Sequence, residues 1–101
     1  MNPSTNTLIE QETTLKPPGM YAVIIHNDEI TTMDYVVEVL VEIFHKTVTD
    51  AAALMMDVHE HGQGIAGVYV FDIAATKKSQ SDLRSAERGF PLKLTLREVV
   101  Q

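Results

Sequence analysis

The chain contains no cysteine and no tryptophan. The first absence removes disulfides and thiolate zinc sites, and it fits a reducing compartment such as the cytoplasm. Basic residues are scarce: eight Lys and Arg stand against fourteen Asp and Glu, for a formal net charge of −6. Phosphate binding needs clustered cations. The cations at Lys77, Lys78, Arg84 and Arg88 instead alternate with acids along one predicted helix, so nucleic acid is not an expected partner. Long apolar runs are also missing. Stretches such as Gly67–Phe71 fall far short of the roughly 20 residues that span a bilayer, and no membrane segment is expected. Met1–Thr7 has neither a basic start nor an apolar stretch, so no secretory signal is expected either.

Catalytic signatures are absent as well. Gly62-Gln63-Gly64 lacks the third glycine and the following helix of a dinucleotide loop. The serines of Lys78–Ser81 are not flanked by the glycines of a nucleophile elbow. His59 and His61 are two apart, whereas a helical metal pair needs a spacing of four. No catalytic residue, metal or cofactor is expected.

What remains is a patterned chain of 101 residues, 45% hydrophobic, enough for one domain. Residues 1–18 read as a flexible arm, rich in Thr and Ser and closed by Lys16-Pro17-Pro18-Gly19. Residues 19–101 form the expected core domain. Tyr21–His26 is β-branched and aromatic, a strand, and Asn27-Asp28-Glu29 supplies turn chemistry. Thr31 and Asp34 have capping-box spacing before a helix carrying Met33, Val36, Val37, Leu40, Ile43 and Phe44. Thr49 is the expected cap of a second helix, with Ala51, Leu54, Met55 and Val58 on one face and Gly62 at its end. Gly64–Phe71 reads as a strand, and Asp72 as the cap of a third helix running to Arg88. Gly89 and Pro91 stop it. Leu92, Leu94 and Leu96 alternate with polar residues as a half-buried strand does. The order predicts an α+β domain, βααβαβ, with a three-stranded antiparallel sheet and three helices on one face.

Three polar or pliable features stand out on this scaffold. Asn27-Asp28 ends a strand, and either builds a turn and caps the next helix or presents a site. His59 follows an apolar position and reads as a histidine at the rim of the core. Met33, Met55 and Met56 are either core filler or an adaptable binding surface. Residue spacing alone leaves these alternatives open and names no ligand.

The order of motifs is more specific. Lys16-Pro17-Pro18-Gly19-Met20-Tyr21, then Asn27-Asp28-Glu29-Ile30-Thr31-Thr32-Met33, resembles the opening of the ClpS adaptor family. Val36-Val37, Val39-Leu40, Ala52–Met55, Val58-His59, Gly62, Gly67-Val68-Tyr69, Ala74, Thr76-Lys77 and Pro91-Leu92 continue it, from about Lys16 to Glu98. Glu29 stands where the family usually has a second aspartate, and Thr32 where a proline is common. The resemblance implies a monomeric, non-enzymatic cytoplasmic adaptor. It would bind proteins that begin with Leu, Phe, Tyr or Trp and deliver them to the AAA+ unfoldase ClpA or ClpC. It places α-amino recognition on Asn27, Asp28 and His59. The first-side-chain pocket falls on Ile25, Thr31, Met33, Val36, Met55, Val58 and Leu92. Unfoldase contact falls on Asp72 and Lys77, with the arm needed for delivery. A second reading comes from the strand–helix order, which is similar to that of the ribosomal stalk protein's C-terminal domain: a plain protein-docking domain with no need for Asn27, Asp28 and His59 to meet.

Overall fold

The computed structural model describes residues 19–100, so the arm expected at residues 1–18 lies outside the described residues. In chain order the elements are β1 (Met20–His26), α1 (Met33–Glu42), α2 (Val48–His61), β2 (Gln63–Val70), α3 (Phe71–Arg88) and β3 (Lys93–Glu98). The strands form one antiparallel sheet in the order β2-β1-β3. This is the βααβαβ α+β domain that the residue pattern predicts. The central place of β1 follows from its sequence: Ala22, Val23, Ile24 and Ile25 are all buried, as a strand flanked on both edges requires.

One sheet face carries the core. Val23 and Ile25 of β1 join Leu94 of β3 and Ala66 of β2 in a cluster with Tyr35, Val36, Val39 and Leu40 of α1, Ala51 and Val58 of α2 and Ala74 of α3. At about 25 cal/mol per Å² of apolar area, this burial is the main stabilising term. The register of β1 against β2 shifts between Val23 and Ile24, where Ala66 is the extra residue.

The helix starts correct three sequence expectations. α1 is capped by Thr32, whose hydroxyl accepts from the Tyr35 N–H at 3.2 Å. Thr31 is instead part of the preceding turn, where its N–H and hydroxyl both donate to Asp28. α2 is capped by Thr47 rather than Thr49, accepting from the Asp50 N–H at 3.0 Å. α3 starts at Phe71 with Val70 at the cap position and no side-chain cap bond. Asp72 therefore sits inside the first turn, where its charge favours the positive end of the helix dipole. The two glycine stops hold: Gly62 (φ 92°) and Gly89 (φ 77°) adopt the left-handed conformation that ends α2 and α3.

α1 is clamped to α3. Arg84 bridges Glu38 (3.3 Å) and Glu42 (2.6 Å), and Arg88 reaches Glu38 at 2.8 Å. Beneath them the Tyr35 hydroxyl and the Ser85 hydroxyl share a buried 2.8 Å hydrogen bond. One turn earlier on α3, Ser81 is fully buried and its hydroxyl has no partner among the described residues. A buried unpaired hydroxyl is destabilising, and alanine is the better helix former. Ser81→Ala should therefore raise the unfolding free energy by about 1 kcal/mol, read as a higher urea midpoint at unchanged slope. A lower midpoint would show that the hydroxyl is engaged in solution.

Candidate functional site

The site is built where β1 runs out. The Asn27 N–H donates to the Gly62 carbonyl at 2.9 Å, and the Gly62 N–H donates to the Val58 carbonyl at 2.8 Å. These two bonds tie the loop after β1 to the last turn of α2. They bring Asn27 and Asp28, at one end of the sheet, beside His59, which follows Val58 on that helix.

Asp28 organises the loop. One carboxylate oxygen accepts from the N–H groups of Ile30 (2.8 Å) and Thr31 (2.6 Å), and the other accepts from the Thr31 hydroxyl (2.7 Å). Burial pushes its pKa up, but the hydrogen bonds from the Thr31 N–H, the Thr31 hydroxyl and the Ile30 N–H outweigh it. The carboxyl is held below its ordinary value and stays ionised. The turn reading of Asp28 thus holds, while the helix cap is Thr32, and the same loop also lines a pocket.

That pocket has a volume of about 360 Å³, within the range of small-ligand sites. Its polar side is Asn27, Asp28, Thr31 and His59; its apolar side is Met33, Val36, Met55, Val58 and Leu92. All of the residues proposed from sequence for the two subsites line it except Ile25. Ile25 is fully buried in the core cluster with Val36, Val58 and Leu92. As an inward-facing residue of the central strand it supports the pocket wall from behind.

His26 and Glu29 also line the pocket, and the sequence reading assigned neither of them a role. His26 was signalled only by adjacency to Asn27-Asp28, and Glu29 also by its place in the family motif. The His26 ring bonds the Thr95 hydroxyl at 2.8 Å. Glu29 is exposed, adding a second acidic residue beside Asp28. On the last turns of α2, exposed Asp57, Glu60 and His61 bring one ligand atom each within 4.8 Å, an i, i+3, i+4 grouping that a search for paired histidines passes over.

Asp72 and Lys77 lie elsewhere, on α3. Asp72 is exposed. The Lys77 ammonium donates to the Ile43 carbonyl at 2.7 Å and lies 5.3 Å from the Tyr69 ring centre and 5.9 Å from that of Phe44. Lys77 therefore pins the end of α1 to α3 and β2. The aromatic faces hold its charge in place of a carboxylate.

The sequence profile described as "ATP-dependent Clp protease adaptor protein ClpS" matches residues 16–95. The chain belongs to the ClpS family. It is 50% identical over 91 residues to the ATP-dependent Clp protease adapter protein ClpS of Acetivibrio thermocellus, covering 88% of this chain and 92% of that protein. The ClpS of Clostridium acetobutylicum is 47% identical, with 90% of each chain covered. Among solved structures, Agrobacterium tumefaciens ClpS2 bound to L-phenylalaninamide superposes with a TM-score of 0.79. It has 31% sequence identity and covers 82% of this chain and 100% of that one. ClpS proteins are adaptors of the Clp protease and not enzymes, so this ClpS-family chain is an adaptor. The described residues contain no helix long and apolar enough to cross a membrane.

Proposed function

We propose that this adaptor binds the free N-terminus of proteins beginning with a bulky hydrophobic residue (Leu, Phe, Tyr or Trp) and delivers them to the ClpA or ClpC unfoldase of the protease. The carrying observation is the junction of two chemistries in one pocket: acceptors at Asn27, Asp28 and His59 beside an apolar wall of Met33, Val36, Met55, Val58 and Leu92. An α-amino group is a cation with three donors. The Asn27 carbonyl, the ionised Asp28 carboxylate and a neutral imidazole nitrogen of His59 are a matching set of acceptors. L-phenylalaninamide, bound by the Agrobacterium relative, has the same two parts: a free amine and one aromatic side chain.

Burial of a Phe or Leu side chain contributes roughly 1.5–3 kcal/mol, and each charge-assisted hydrogen bond about the same. After association costs, a dissociation constant of about 1 μM is expected. The test is fluorescence anisotropy with peptides that differ only in the first residue. Phe should bind at least about tenfold more tightly than Ser, from the lost burial alone. Equal affinities would remove the reading. For delivery, Asp72 and Lys77 are the proposed unfoldase contacts and residues 1–18 the proposed arm. The exposed Asp72 side chain supplies a charge that a partner can reach, while Lys77 shapes the surface beside it.

Met33 is the first residue of α1 and stands at the pocket rim, 43% exposed. Its side chain is placed to exclude residues whose bulk lies close to the backbone. Met33→Ala should therefore raise affinity for a Val-initiated peptide by about five- to tenfold, as expected for roughly 1 kcal/mol of relieved crowding, with Phe binding little changed. An unchanged Val-to-Phe ratio would show that Met33 does not act as a gate.

A further inference from the structure

The face of the sheet turned away from the helices has its own chemistry. By strand alternation it carries Ala22, Ile24 and His26 of β1 with their register partners Val68, Ile65 and Gln63 on β2 and Arg97, Thr95 and Lys93 on β3. The His26–Thr95 bond shows that these side chains share one side. Ile65, Val68 and Val70 are 46%, 43% and 38% exposed. Val70 extends the apolar strip to Met20, its partner at the start of β1. Lys93 and Arg97 are exposed along the other side of the face. Among the described residues neither takes part in an ion pair, whereas Lys78, Arg84 and Arg88 all do. An apolar strip beside two uncompensated cations, on a chain of net charge −6, calls for an occupant that is both apolar and acidic.

The chain has such a segment before the sheet. Leu8-Ile9-Glu10-Gln11-Glu12 places two large apolar residues next to two acids. It precedes Gly19, which leads into the Met20 end of β1, beside Val70 and Val99. Six residues lie between Glu12 and Gly19, and the seven steps they make reach up to about 23–25 Å. The seven residues of β1 rise about 3.4 Å each, so the segment can cover any point along this face. Pro17, Pro18 and Gly19 supply the turn chemistry to reverse direction.

We propose that residues Leu8–Glu12 dock on this outer face, with Leu8 and Ile9 against Ile65 and Val68, and Glu10 and Glu12 near Lys93 and Arg97. The contact lies on the sheet face opposite the helices and stands independently of the peptide-binding reading. It is a self-contact that any partner engaging the arm must displace.

The absence of cysteine makes the test direct: Thr7→Cys in the full chain gives one attachment point for a nitroxide label. Amides of Ile24, Val68 and Arg97 should lose most of their NMR intensity relative to the reduced label, while those of α1 keep theirs. Glu10→Lys with Glu12→Lys should restore the intensity, and so should about 1 M salt, where screening acts within roughly 3 Å. Adding Lys93→Glu and Arg97→Glu to that variant should bring the broadening back. Even broadening over the whole domain, or broadening centred on Met33 and His59, would overturn the proposal. So would intensities that ignore the charge reversals.

Discussion

Acetylating the N-terminus of a Phe-initiated peptide should weaken its binding by about a hundredfold or more. On the proposed reading, the modification removes the positive charge and two of the three donors offered to Asn27, Asp28 and His59, and it adds an acyl group at that end of the pocket. Losing two charge-assisted hydrogen bonds at roughly 1.5–3 kcal/mol each exceeds anything the apolar wall can return, since the side chain is unchanged. The same argument excludes an internal Phe, which has no amine at all. Titration calorimetry with matched free and acetylated peptides reads the difference directly. Binding within a few-fold of the free peptide would leave only a hydrophobic pocket, and the claim of terminus recognition would fail.

The second large effect separates what Asp28 does for the fold from what it does for the ligand. Its carboxylate accepts three hydrogen bonds from Ile30 and Thr31. Asn in its place can still accept both N–H bonds through its carbonyl oxygen and can donate to the Thr31 hydroxyl. Asp28→Asn should therefore keep the loop and most of the stability while removing the negative charge. Affinity for a Phe-initiated peptide should fall by about ten- to a hundredfold, the range of one charge-assisted bond. Asp28→Ala loses the turn as well and should lower the unfolding midpoint, which Asp28→Asn should not.

The sign of the pH dependence follows from the lowered pKa of Asp28. A depressed carboxyl contributes its charge fully above the ordinary value near 3.9. It loses that contribution only as pH falls through its lower folded value. The affinity ratio between wild type and Asp28→Asn should thus stay constant from about pH 7 down to pH 5. A ratio that collapses within that window would show that Asp28 is not held below its ordinary value in solution.

Much of this was readable from residue order. Short-range physics governs the element types: β-branched residues in Val23–Ile25, helical spacing in Met33–Leu40, and glycine at the two helix ends. The motif order from Lys16 to Glu98 is by itself enough to indicate the family. The errors were errors of competition. Thr31 has capping-box spacing to Asp34, but it is held in the turn by Asp28 and Thr32 takes the cap position. Thr49 and Thr47 both suit a cap by composition, and the earlier one takes the position, accepting from the Asp50 N–H. Ile25 carries the right chemistry for a pocket wall, yet the pleat of the central strand turns it into the core.

Charge balance and the alternation of apolar residues are local properties, and they set the class of the domain. Whether Asn27 and Asp28 form only a turn or one side of a pocket is not a local property. It depends on His59, 31 residues further along the chain from Asp28. The two bonds through Gly62 bring that helix end against the loop. Burying Val36 and Val58 in one core holds them there. The same holds for Lys77, whose carbonyl partner at Ile43 lies 34 residues away. Contacts of that separation form only when the sheet and helices pack, because packing alone offsets the chain entropy of closing such long loops.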